Sequence, residues 1–110
     1  MIKYLISFPS AAMDVPEEEL PAISRDSRAV VQEAKDAGVY VFGGGINENV
    51  APVQVAGDGA AIASTYPDYN GGFCVLELPT RESALVWAAK LATACQCPQD
   101  LREFMFDPES

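Results

Sequence analysis

The chain has no histidine, and only seven lysines and arginines stand against sixteen acids among its 110 residues. Each shortage removes a class of function. Histidine is the side chain that ordinarily titrates near neutrality. Without it, acid–base chemistry must run through a perturbed carboxyl or a tyrosine. Zinc sites that need histidine are excluded as well. The net charge of −9 argues against nucleic acid, whose binding depends on neutralising phosphates with Lys and Arg. No apolar run reaches the ~20 residues of a membrane helix. Met1-Ile2-Lys3 runs straight into a strand pattern with no small-residue cleavage site, so the expected setting is the cytoplasm, with no membrane partner.

There are three cysteines, Cys74, Cys95 and Cys97. An odd count without a leader predicts reduced thiols. Cys74 lies in the strongest strand and reads as a small core residue. Cys95-Gln96-Cys97 supplies two thiolates at a helix end, too few for zinc on their own. The sequence therefore predicts no metal and no cofactor.

What the chain does have is hydrophobic residues, at 49%, enough for a single domain over 1–110 with one core. Its organising stretch is Ser64 to Thr80. A Tyr66-Pro67-Asp68 turn leads through Gly71-Gly72 into a strand, Phe73 to Leu78, which stops at Pro79. Thr80 then caps a helix from Arg81 to about Ala94.

Before that stretch, Ile2 to Phe8 alternates as a strand. Glu17 to Ala37 reads as a helix whose regular part opens at Pro21 and stops at Gly38. Leu20, Ile23, Ser27, Val30, Ala34 and Ala37 share one stripe of it. Ser27 is the polar member, and a polar residue on a buried stripe is informative. Its hydroxyl either bonds back to the helix or lines a cleft between helix and sheet. Val39 to Phe42 is a strand ending in Gly43-Gly44-Gly45, which permits a turn or a close approach. Pro52–Ala56 and Ala60–Ser64 flank Gly57-Asp58-Gly59 as a hairpin. Cys95 to Gln99 is a loop, and Leu101 to Phe106 a last strand.

The order β-α-β, hairpin, β-α-β is an α+β plan of ferredoxin-like type, a split βαβ with an inserted hairpin. Neither Val39–Phe42 nor Phe73–Leu76 alternates, so both faces of the central strands should be covered. Two helices cover one face, which predicts a homodimer.

Ile2-Lys3-Tyr4-Leu5-Ile6, Ala34-Lys35-Asp36-Ala37-Gly38, the glycines after Phe42, and Asn70-Gly71-Gly72-Phe73-Cys74-Val75-Leu76-Glu77-Leu78 together resemble the bacterial YCII-related family. The resemblance is to its branch named for an Asp-Gly-Pro-Phe (DGPF) motif and spans nearly the whole chain. Where that motif would stand, the sequence reads Thr65-Tyr66-Pro67-Asp68, and only the proline fits. The resemblance implies a dimeric α/β barrel. It also implies a site on the first helix, where some relatives carry a histidine and Ser27 stands here. Asp36 matches an acidic residue near the helix end. A few such proteins are isomerases or dehydrochlorinases acting on products of aromatic degradation, and many accompany extracytoplasmic-function sigma factors.

Three functions follow as alternatives. One is a dimer that binds a small organic acid or lactone without histidine chemistry. Another is an isomerase or lyase working through Asp26, Asp58 or Asp68, or through Tyr4, Tyr40 or Tyr66. The third is a structural or protein-interaction module. The ligand site expected from the sequence is Ser27 on the helix stripe, with Tyr4 and Tyr40 from the sheet, Arg28 from the helix and Asp68 from the turn.

Overall fold

The computed structural model describes residues 1–110 throughout. Its elements are β1 (Ile2–Phe8), α1 (Leu20–Asp36), β2 (Tyr40–Gly45), β3 (Val53–Val55), β4 (Ala61–Ala63), β5 (Gly72–Leu78), α2 (Arg81–Cys95) and β6 (Asp100–Glu103). The fold is α+β. Four strands form one sheet in the order β2-β5-β1-β6, each neighbouring pair antiparallel. β1 and β2 therefore run the same way with β5 between them. β5, the strand read as central, pairs on both sides. β3 and β4 form a separate hairpin.

Strand alternation decides which residues meet the helices. Tyr4 and Ile6 of β1 and Cys74, Leu76 and Leu78 of β5 are buried and pack with Ala34, Ala84, Ala88 and Leu91 from the two helices. The helices contribute mostly alanine, so they approach closely, and the sheet supplies the bulk. The other parity, with Leu5, Phe73 and Val75, faces away. Val41 and Phe42 are exposed there, Phe42 to 63%. Cover on both faces of the central strands, expected from the sequence, is thus only partial within one chain: the two helices reach one face, and on the other the C-terminal segment from Phe104 to Ser110 borders a hollow with Lys3, Val41, Val75 and Glu77.

Local signals account for the helix ends. Ser83 N donates to Thr80 Oγ1 at 3.1 Å, and Thr80 N to Ser83 Oγ at 3.4 Å, a reciprocal cap. α2 stops where Gln96 turns left-handed, φ 56°. α1 lacks a side-chain cap but starts with proline in its first turn, after a separate 3-10 turn over Glu17–Glu19. Its stripe is narrower than expected. Ile23 and Ala34 are buried, whereas Leu20 and Ala37 are exposed.

Two strand ends differ from the sequence reading by three residues. β2 runs on through Gly43–Gly45, because those residues pair with Cys74, Phe73 and Gly72 after a bulge at Val41. A strong neighbouring strand overrides glycine's low strand propensity. β6 ends at Glu103 rather than Phe106. Phe104 N still donates to Lys3 O at 2.9 Å, but beyond Lys3 strand β1 has only Ile2 and Met1 to offer.

Gly71 is required at the entry to β5. It has φ +83°, and a Cβ there would collide with the Phe8 carbonyl oxygen and the backbone of Pro9 and Ser10. Gly71→Ala is expected to destabilise the protein by about 2–4 kcal/mol, read as a lower urea midpoint at unchanged slope. An unchanged midpoint would contradict this packing.

Candidate functional site

At one end of the sheet three helix-facing positions, Gly43, Gly45 and Gly72, carry no side chain. Gly43 pairs with Cys74, Gly45 with Gly72, and Gly72 with Phe8. The Phe8 ring lies against Gly72 and the Tyr40 hydroxyl over Gly43, and beneath α1 a cleft of about 560 Å³ remains. The glycines are its floor. Phe8, Val31 and Leu91 stand in its apolar walls.

Three expected site residues meet in this cleft: Ser27 and Arg28 from α1, and Tyr40 from β2. The Tyr40 hydroxyl lies over Gly43, where a Cβ would come to 3.0 Å from it. The Tyr40 ring also carries the Lys35 ammonium 5.2 Å from its centroid. Ser27 Oγ donates to the Ser24 carbonyl oxygen at 3.3 Å. Ser27 therefore does both things foreseen for it: it bonds back to its own helix and it lines the cleft. Its oxygen keeps acceptor capacity toward the cleft.

Two expected members are elsewhere. Tyr4 is on the helix-facing parity and on the same rung as Tyr40, with Leu76 between them, but it is 1% exposed, packed in the core cluster and opposite Glu103 in the register. Burial raises its phenol pKa, and the Glu103 carboxylate raises it further. It is a core residue and not a cleft residue. Asp68 is also outside the cleft. It sits at a hollow with Ser7, Tyr69 and Arg102. Long-range geometry puts it there: Gly71 reverses the chain, and Asn70 Oδ1 accepts from Ser10 N at 2.9 Å.

The remaining acid–base candidates have local roles. Asp58 Oδ1 accepts from Ala60 N at 2.9 Å within the hairpin turn. Asp26 lies 3.0 Å from Arg25 on the surface, and Tyr66 is exposed. None of these carboxylates reaches the cleft.

Charge distinguishes the cleft from every other hollow. Arg28 is its sole ionisable side chain apart from Tyr40 and two thiols, and it holds no carboxylate. Each of the other hollows carries at least one Asp or Glu. In a chain of net charge −9, this is where an anion meets a cation without an acid beside it.

The sequence reading missed Met13, Cys95 and Gln99, which also line the cleft. Cys95 and Cys74 face it from α2 and β5, and all three cysteines are free and buried. Burial pushes the Cys74 thiol up to about 11, with Cys95 adding to the rise. Cys95 is raised by burial and then by Cys97. These thiols stay neutral at physiological pH and are poor nucleophiles. The triple glycine was the one available signal for the floor.

No protein-family model and no curated protein matches the sequence.

The raised thiol pKa has a consequence for stability. From pH 9.0, the ordinary thiol value, to about 11, the unfolded chain releases the Cys74 proton while the folded chain keeps it. Stability must then fall as pH rises through this window and be fully retained below it. Urea midpoints measured from pH 8 to 11 should decline, and Cys74→Ala should flatten that decline. An equally steep decline in Cys74→Ala would contradict the assignment.

Proposed function

We propose that the chain is a small dimeric protein that binds a small organic acid, or its lactone, in the cleft under α1, without histidine chemistry. The observation that carries this is the lone Arg28 in an acid-free, largely apolar cleft. A guanidinium pairs with a carboxylate through two parallel hydrogen bonds. Ser27 and Tyr40 add hydroxyls, and Phe8, Val31 and Leu91 take the apolar body. The volume suits a small ligand. The resemblance to the YCII-related family supports the same place, since Ser27 stands where some relatives carry a histidine. With no carboxylate at hand, proton transfer has only Tyr40 and two neutral thiols to run through. These residues favour binding over an isomerase or lyase reaction.

We further infer that two copies join through their outer sheet faces, completing a ferredoxin-like dimeric α/β barrel. The outer face exposes Val41 and Phe42, and apart from Asp68 and Asp107 at its margins its charges come in opposed pairs. Lys3 stands opposite Glu77, and Arg102 lies 3.8 Å from Asp100. Two such faces can meet on a two-fold axis with less of the repulsion that a net charge of −9 would otherwise bring.

Benzoate, cis,cis-muconate and γ-butyrolactone are suitable probes for calorimetry and thermal shift. Arg28→Gln should weaken binding of the carboxylates at least about tenfold, in line with the ~1.5–3 kcal/mol of a charged hydrogen bond. Ser27→Leu should fill the cleft and abolish binding while the dimer survives. Unchanged affinity in a folded Ser27→Leu dimer would overturn the site.

Light scattering on the eluting protein should give twice the mass of one chain at micromolar concentration. A stable single-chain mass would remove the barrel.

A further inference from the structure

The outer face ends in a second hollow of about 420 Å³, where the segment leading into β5 lies against the end of β1. Register brings its residues together. Ser7 stands between Phe73 of β5 and Asp100 of β6, and on the adjoining outward rung Leu5 stands opposite Arg102. Directly paired residues project to the same side of a sheet, as do residues two apart along a strand. These side chains therefore share one corner of the outer face. Asp68 and Asn70 border it from the segment before β5.

Ser7 is the unusual member. Apart from Tyr4 and the three thiols, it carries the only polar side chain among the buried residues, at 7% exposed. Its hydroxyl has no hydrogen-bond partner in the chain. Every wholly enclosed side-chain oxygen or nitrogen does have one, so Ser7 Oγ reaches the surface, and the hollow is the surface that it lines. A nearly buried hydroxyl without a partner is costly, and valine would suit a strand better. A polar ligand atom at this spot removes that cost.

The groups around Ser7 are uncommitted as well. Arg102 lies 3.8 Å from Asp100, beyond hydrogen-bond length, so its fork of donors is unspent. Asp68 takes part in none of the ion pairs of the chain. Asn70 is fixed in orientation, because its Oδ1 accepts from Ser10 N at 2.9 Å, and its amide N–H groups are left free. Leu5 and Phe73 are half-buried and give the hollow an apolar floor. One corner thus offers a cation with extra donors, a free carboxylate with an acceptor hydroxyl, and an apolar surface.

We propose that this hollow binds a free α-amino acid with an apolar side chain. Arg102 and Asn70 take its carboxylate, Asp68 and Ser7 its ammonium group, and Leu5 and Phe73 its side chain. A guanidinium pairs with a carboxylate through two parallel hydrogen bonds. An amine alone would leave Arg102 without its partner. An acid alone would meet Asp68 and Asp100 with no positive charge to set against them. The site is complete within one chain, and it is separate from the acid-free cleft under α1, which lies on the helix side of the sheet.

L-Phenylalanine, phenethylamine and hydrocinnamate are the probes: one apolar body with both charges, the ammonium alone or the carboxylate alone. By calorimetry, phenylalanine should bind saturably and at least about tenfold more tightly than either of the others. No binding of phenylalanine, or equal affinity for the amine or the acid, would overturn the proposal. Amide resonances of ¹⁵N-labelled protein locate the ligand. Shifts on adding phenylalanine should centre on Ser7, Asn70 and Arg102. Shifts centred on Ser27, Arg28 and Tyr40 would put it under α1 and overturn the second site, leaving the cleft's own assignment standing. Arg102→Gln alters a residue whose side chain is 62% exposed, so the fold should survive, and phenylalanine affinity should fall at least about tenfold. Ser7→Val, which keeps a strand-forming residue, should lower it too. Unchanged affinity in either folded variant would refute the site.

Discussion

A four-stranded sheet has two faces, and this chain carries helix enough for one. Most of what is distinctive in the molecule follows from that imbalance. On the covered side, Tyr4, Ile6, Leu76 and Leu78 from the strands fill the space over helices lined with Ala34, Ala84 and Ala88. On the other side, Val75 and Phe73 are half-buried and Phe42 is exposed. Only 15 of 110 residues are buried in the single chain. So small a core gives marginal stability, which makes cover for the second face a matter of folding as well as of assembly.

The cleft arises from the same division of labour. Because the helices supply small side chains, the sheet must provide the bulk. Where the sheet turns to glycine at Gly43, Gly45 and Gly72, Phe8 and Tyr40 lean over the backbone and leave part of the space unfilled. Arg28 then stands at an unfilled volume with Ser27 and Tyr40. The cleft is thus a packing deficit kept open by backbone, and the absence of acids gives it its sign. Glycine's usual strand penalty is accepted at the place where a side chain would close the site.

Much of this was legible in the residues. The alternation of Ile2–Phe8, the Thr80 cap and the Gly57-Asp58-Gly59 turn each carry their cause within a few neighbours, and each element formed as read. Ser27, Arg28 and Tyr40 were named together because helical and strand periods say which face a side chain takes. They do not say whether packing will cover it. Tyr4 has the right face and shares a rung with Tyr40, but it is packed into the core, and its other neighbour is Glu103, a residue far along the chain. Asp68 depends on the Asn70–Ser10 contact and on the left-handed turn at Gly71, neither of which is a local pattern. The extension of β2 through three glycines was hidden for the same reason, since its cause is the pairing with β5. The non-alternating strands imply cover on the second face, and within the chain only the C-terminal segment from Phe104 to Ser110 lies along part of it.

If that second face is covered by another copy, folding and association are one equilibrium, and the melting temperature must depend on concentration. Thermal unfolding of the intact protein, followed by circular dichroism from about 1 to 300 µM, tests this most directly. The account expects the midpoint to rise steadily across that range, with two chains linked in the transition. A midpoint independent of concentration, together with a single-chain mass throughout, would contradict it.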